Sequence, residues 1–141
     1  VKLPVAPLLR EWNPADTSEL NMVRASWLRT YTAASRGVEH SVFETLYRML
    51  LNPILARSTV LVACMPDVPS SLYGWMCWGL GGQLHYVAVK PRWQRLGIAS
   101  WMLEDFRDHA VEYTHRTPAG VSLDLPASWQ YRPMRRFDGV L

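Results

Sequence analysis

Between Leu20 and Tyr31 the apolar positions Leu20, Val23, Trp27 and Tyr31 recur at helical spacing, which predicts an amphipathic helix with one buried stripe. Its start is written in "NPADTSEL": Pro14 suits a first turn, Asp16 is a candidate N-cap, and Glu19 follows three residues on. "SRGV" breaks the pattern. "SVFE" restarts it as a capping box, Ser41 with Glu44, ahead of Phe43, Leu46, Tyr47, Leu50, Leu51 and Ile54. Pro53 is expected to limit this second helix or kink its last turn. Upstream of both, Leu3 to Leu9 carries two prolines and is an edge strand at best.

The period then changes. Thr59 to Cys64 is a β-branched run, "MPDVPSS" makes a turn, and "LYGWMCWGL" reads as the next strand. Gly81-Gly82 is a hairpin signal leading into "QLHYVAV", a fourth strand that ends at Pro91, so an antiparallel meander is expected. After Arg95 the helical period returns in Ile98, Met102, Phe106, Ala110 and Tyr113, with Glu104, Asp105, Arg107 and Asp108 on the wet face. "THRTPAG" terminates it, "VSLDL" is one more short strand, and "PASWQYRPMRRF" has no clear period. The predicted order is strand, helix, helix, three strands, helix, strand, tail. That is a layered α/β or α+β class, one domain over residues 1–141.

Composition and charge sharpen this picture. Half the residues are apolar and seven are tryptophan, enough for a real core. The longest membrane candidate, Leu72 to Leu84, falls short of the ~20 residues of a spanning helix and carries four glycines. With no secretory leader pattern and only Cys64 and Cys77, both read as small core residues, a cytoplasmic protein is expected. The net charge of +3 favours anionic ligands without singling one out. Arg132, Arg135 and Arg136 crowd into the tail beside Asp138, either as a solvated patch or as a site for an acidic partner.

The chemistry concentrates in "VKPRWQRLGIASWML", from Val89. A glycine-bearing turn that opens a helix offers unpaired N–H groups and the positive end of the helix dipole, an anion site. Gly97 permits close backbone approach, Ala99 keeps the next position small, and Arg95, Lys90 and Arg92 supply cations. Neither G-x-x-x-x-G-K-[ST] nor G-x-G-x-x-G occurs in the chain, so the cradle belongs to neither of those types.

"LHYVAVKPRWQRLGIASWML" resembles the central motif of the GCN5-related N-acetyltransferases, in which Q/R-x-x-G-x-G/A follows a V-x-V strand; Gln94, Gly97 and Ala99 match it. The resemblance implies that family's fold, a central, mostly antiparallel mixed sheet flanked by helices, and acetyl-CoA as cofactor. It implies that Val87, Ala88 and Val89 line the pantetheine arm, and that Gln94, Arg95, Leu96, Gly97, Ile98, Ala99 and Ser100 hold the pyrophosphate. No metal is implied. A tyrosine beyond the fifth strand often serves the family as acid, which points to Tyr131, with Ser128 and Tyr113 behind it. The fourth strand lacks the glutamate that many members carry there. His85 stands on that strand instead, as a base or as a structural histidine, and Glu39 with His40, in the turn where an acceptor would enter, form a second candidate pair. The family's usual asparagine-bearing ending is replaced by "DLPASWQYRPMRRF".

The function so implied is transfer of an acyl group to a primary amine of a small molecule or protein. Two alternatives stand beside it. One is a phage Mom-like enzyme that modifies a DNA base, with the arginine-rich tail and Trp129 gripping nucleic acid; the other is a degenerate module that binds CoA or nucleic acid without turnover. A homodimer covering the open edge of the fourth strand is a further expectation, and no membrane partner is expected.

Overall fold

The computed structural model describes residues 6–30, 40–115 and 125–137. They form a six-stranded sheet with helices on both faces. The strands are β1 (Leu8–Glu11), β2 (Ser58–Met65), β3 (Val68–Gly79), β4 (Leu84–Val89), β5 (Glu112–Tyr113) and β6 (Gln130–Tyr131). They lie in the sheet in chain order; β1 to β4 pair antiparallel, whereas β4 with β5 and β5 with β6 pair parallel. The mixed, layered class expected from the sequence is therefore present, and the meander is as predicted. No helix among the described residues is long and apolar enough to cross a membrane.

Alternation along the strands divides the core in two. Val60, Val62, Cys64, Leu72, Trp75, Cys77 and Tyr86 face α1 (Thr17–Thr30) and α2 (His40–Ala56), where Val23, Trp27, Leu51 and Ile54 meet them. Ala63, Tyr73, Met76, Trp78, Leu84 and Val87 face the other way, onto α3 (Ile98–Leu103) with Met102 and Leu103. Burying each large side chain is worth about 1.5–3 kcal/mol. A period of two serves both faces only because both are covered, which is why β3 reads as an almost unbroken apolar run.

Helix α1 begins as the sequence implies. Asp16 Oδ1 accepts the amides of Ser18 and Glu19. Glu19, 7% exposed, does more than complete a cap: it accepts the Asn13 amide at 2.8 Å and pairs with Arg10 of β1, stitching the edge strand to the helix. Helix α2 runs through Pro53 to Ala56 without stopping at it. The stripe position Tyr31 and the turn 31–39 lie outside the described residues.

Two expectations need correction. The first strand lies at Leu8–Glu11, beyond both prolines, whose missing N–H groups suit no ladder. The third helix stops at Leu103, tightens into a 3-10 turn at Glu104–Phe106, and gives way to β5 at Glu112, so Ala110 is exposed and Tyr113 is a strand residue. The wet, aspartate-bearing "EDFRDH" holds its chain by i to i+3 bonds, Arg107 to Glu104 and His109 to Phe106, rather than by a full helical ladder. The strand expected at "VSLDL" falls almost wholly on residues 121–124, outside the described residues, and the tail contributes a strand of its own, β6.

Candidate functional site

β4 is paired on both sides at one end only. Antiparallel to β3 it pairs from Leu84 to Val89, but its parallel partner β5 matches it at Leu84↔Tyr113 and then leaves, after the Thr114 amide donates to Leu84 O at 3.0 Å. Among the described residues nothing continues the ladder beside Val87, Ala88 and Val89. The two parallel strands thus form a fork, with one open backbone edge leading to Lys90.

The strand ends where the Lys90 amide donates to Tyr73 O and Pro91 begins a 3-10 turn, Pro91–Trp93. Trp93 pins that turn by packing edge-on to Tyr73, ring centres 5.2 Å apart, and Arg92 lies over the Trp93 ring at 4.9 Å. Gln94 donates from Nε2 to Val89 O at 3.0 Å, tying the loop back to the strand. Arg95 (φ 64°) and Gly97 (φ 82°) are both left-handed, a backbone shape that cups amides into an anion-binding hollow. The first bond of α3 runs from the Trp101 amide to Gly97 O, so the amides of Ile98, Ala99 and Ser100 precede the helical ladder. A Cβ on Gly97 would meet nothing within 4 Å: the space above it is open. Lys90, Arg92 and Arg95 are exposed and, among the described residues, none is in an ion pair.

On the α1 face of β4 lies a cleft of ≈ 350 Å³. Met22 and Ser26 of α1, Trp75 of β3, and Ala88 and Val89 of β4 make its mostly apolar wall, and Lys90, Pro91 and Arg92 its rim. Trp75 donates from its indole to Ser26 Oγ at 3.3 Å, which fixes the floor.

The candidate residues sort unevenly over this frame. Val87, Ala88 and Val89 stand on the open edge, and Arg95 to Ser100 form the turn and helix start, though Ile98 is a core residue. Gln94 shapes the loop through its side chain. His85 interrupts the alternation: Cys77 pairs with Tyr86 and Trp78 with Leu84, leaving His85 as the bulged residue between them. It is 5% exposed, with Nδ1 on Thr114, so it is a buried polar group and not a side chain presented to the cleft. Tyr131 lies half-buried in a row with Tyr113 and Leu84 at the base of the fork, its ring 5.5 Å from that of Tyr113. Glu39 lies outside the described residues, and His40 is the first residue of α2.

Two tail readings change. Trp129 is buried in the core on the α3 face. Arg135 and Arg132 both pair with Glu112 of β5, at 2.8 and 3.5 Å, so the tail arginines tie β6 and its following turn to the sheet. Ser26, Trp75, Thr114 and His115 are functional candidates that sequence reading passed over. "THRTPAG" carries only the signature of a terminator, and Ser26 lies off the helical stripe. Comparison with known proteins adds no identity: no family model matches the chain, and no curated protein does.

Proposed function

We propose that the chain is an acyl-CoA-dependent N-acyltransferase, using acetyl-CoA in the simplest case, with an amine of a small molecule or protein as acceptor. The observation that carries this reading is the open edge of β4 running directly into a cationic loop with two left-handed residues and free space above Gly97. In this reading Val87, Ala88 and Val89 bind the pantetheine arm through their backbone, as an added strand would be bound. The amides of residues 95–100, with Lys90, Arg92 and Arg95 around them, hold the pyrophosphate. Bound acyl-CoA supplies the acyl group already activated as a thioester.

The cleft of Met22, Ser26, Trp75, Ala88 and Val89 flanks the arm, with Lys90 and Arg92 at its phosphate end, and the acceptor meets the thioester at the opposite end, near the base of the fork. Tyr131, at the base of the fork, is the proposed acid. Nucleic acid as acceptor is less favoured than the tail sequence implies, because Arg132 and Arg135 already serve Glu112.

The test is release of free CoA thiol from acetyl-CoA in the presence of a panel of amines, peptides and DNA. Amine-dependent release by the wild type, lost in Gly97→Glu, is expected. Tight acetyl-CoA binding without release for any acceptor would favour a non-catalytic module.

A further inference from the structure

Where β4 and β5 part, three polar side chains meet in an apolar surround. Thr114 Oγ1, wholly buried, lies 2.8 Å from His85 Nδ1 and 2.8 Å from His115 Nδ1. Trp27 of α1 sets its ring edge-on to His115 at 5.2 Å between centres, and Tyr86 stacks on Trp27 at 5.0 Å. A hydroxyl has one hydrogen to give and two lone pairs. It can donate to only one of the two Nδ1 atoms, so at least one ring must carry a hydrogen on Nδ1 and donate it to Thr114. The protonation of each histidine is therefore tied to the other.

The inner end of this chain is also built. A Cβ on Gly79 would lie 2.8 Å from His85 Nε2 and 2.9 Å from Gln83 Nε2, so glycine is what lets β3 pass and leaves the ring beside the Gln83 amide. Gln83 is 5% exposed, and its Oε1 has no hydrogen-bond partner among the described residues. A half-turn of that amide offers an acceptor to a His85 that has gained a proton. Among the described residues, titratable or charged side chains on the strands around the unit include Tyr86, whose hydroxyl donates to Ser26 O at 3.4 Å, Tyr113 and Tyr131, and Glu112 with its partners Arg132 and Arg135.

We propose that His85, Thr114 and His115 act as one proton-sharing unit that takes up, at the fork, the proton the acceptor nitrogen releases. That role rests on the acyl-transfer reading; the coupling of the two rings does not. As the N–C bond forms and the thioester C–S bond breaks, the nitrogen's proton passes to the unit and Tyr131 protonates the departing sulfur; return of the stored proton to Tyr131 then restores both to their starting state. Within it, a proton gained at the buried Nε2 of His115 is matched by passage of that ring's Nδ1 hydrogen to Oγ1 and of the hydroxyl hydrogen to His85 Nδ1. His85 is on this account a positioning and proton-storing residue.

Imidazole ¹H–¹⁵N spectra of the wild type, Thr114→Ser and Thr114→Val, taken from about pH 5 to 8, test this directly. Expected are an Nδ1-bonded hydrogen on at least one of the two rings and a coupled two-step titration in the wild type and Thr114→Ser, replaced by independent single steps in Thr114→Val. Independent titration in the wild type, or coupling that survives in Thr114→Val, would overturn the unit. His115→Gln reads the same coupling from the less buried end, with His85 reduced to one step; a persisting second step would again overturn it. Acetyl-CoA titrated into the same samples separates the two ideas. Binding with uncoupled rings removes the relay alone, whereas coupled rings without binding leave the unit no transfer to serve and overturn its proposed role.

Discussion

Gln94 reaches back across the turn that follows β4 to donate its side-chain amide to the carbonyl of Val89 at 3.0 Å. The side chain that best matches the phosphate-loop pattern therefore acts first on the loop's own shape. A hydrogen bond of this kind contributes about 0.5–1.5 kcal/mol. Gln94→Ala is expected to weaken acetyl-CoA about 2- to 10-fold through a looser loop, with little change in thermal midpoint; an unchanged Kd would show that the tie does not matter to binding.

Arg95 combines an exposed cation with a left-handed backbone. Asparagine tolerates that conformation better than most residues while removing the charge. Arg95→Asn should keep its urea midpoint and bind acetyl-CoA several-fold more weakly, with a shallower dependence of affinity on salt. Arg132→Asn, which removes the pair with Glu112 and the bond to Gln130 Oε1, both away from the loop, should leave acetyl-CoA affinity as it is. Equal losses in the two variants would point to a diffuse charge effect.

Gly74 and Gly97 answer substitution for different reasons. A Cβ on Gly74 would come within 2.4 Å of Ala88 O, in the backbone of β4 itself, and the sheet has no side chain there to move aside. Gly74→Ala should cost at least about 1–3 kcal/mol of stability. Gly97→Ala meets no neighbour and should cost only the left-handed penalty, about 1–2 kcal/mol. Urea midpoints for the two variants check the order.

Burial pushes the Cys77 thiol up from 9.0 to about 12, with a hydrogen bond from Ser58 pulling weakly the other way. Because the folded-state value is the higher one, its contribution to stability is complete below about pH 9 and is lost as pH rises toward 12. Stability measured by urea should decline over that alkaline window, and Cys77→Ala should flatten the decline. A thiol reagent at pH 8 should reach this residue only on unfolding.

Much of the scaffold was legible because two strong periodicities coincide with buried faces. Val23 and Trp27 on α1 follow directly from spacing, and β2 and β3 from their apolar runs, although which residues of those runs face α1 and which α3 is seen only in the structure. The loop at Gly97 was legible because glycine at a helix start has few other uses. The end of α3 was not. Phe106, Ala110 and Tyr113 keep helical spacing, yet pairing of Tyr113 with Leu84 draws that stretch into the sheet, a tertiary demand that local pattern does not register. The bulge at His85 likewise depends on how β3 and β4 align, and Thr114 gains its meaning only when β5 brings it beside that histidine. The tail arginines looked like a free basic patch because their partner, Glu112, is more than 15 residues away along the chain.

The most direct test of the central claim is a backbone ¹H–¹⁵N titration of the wild-type protein with acetyl-CoA. The amides of Val87, Ala88 and Val89 and those of residues 95–100 should shift together and saturate with one Kd, while those of β1 and β2 stay in place. Saturable binding that leaves these amides unmoved, or no binding at all, would contradict the assignment of the open edge of β4 and its cationic loop as the coenzyme site.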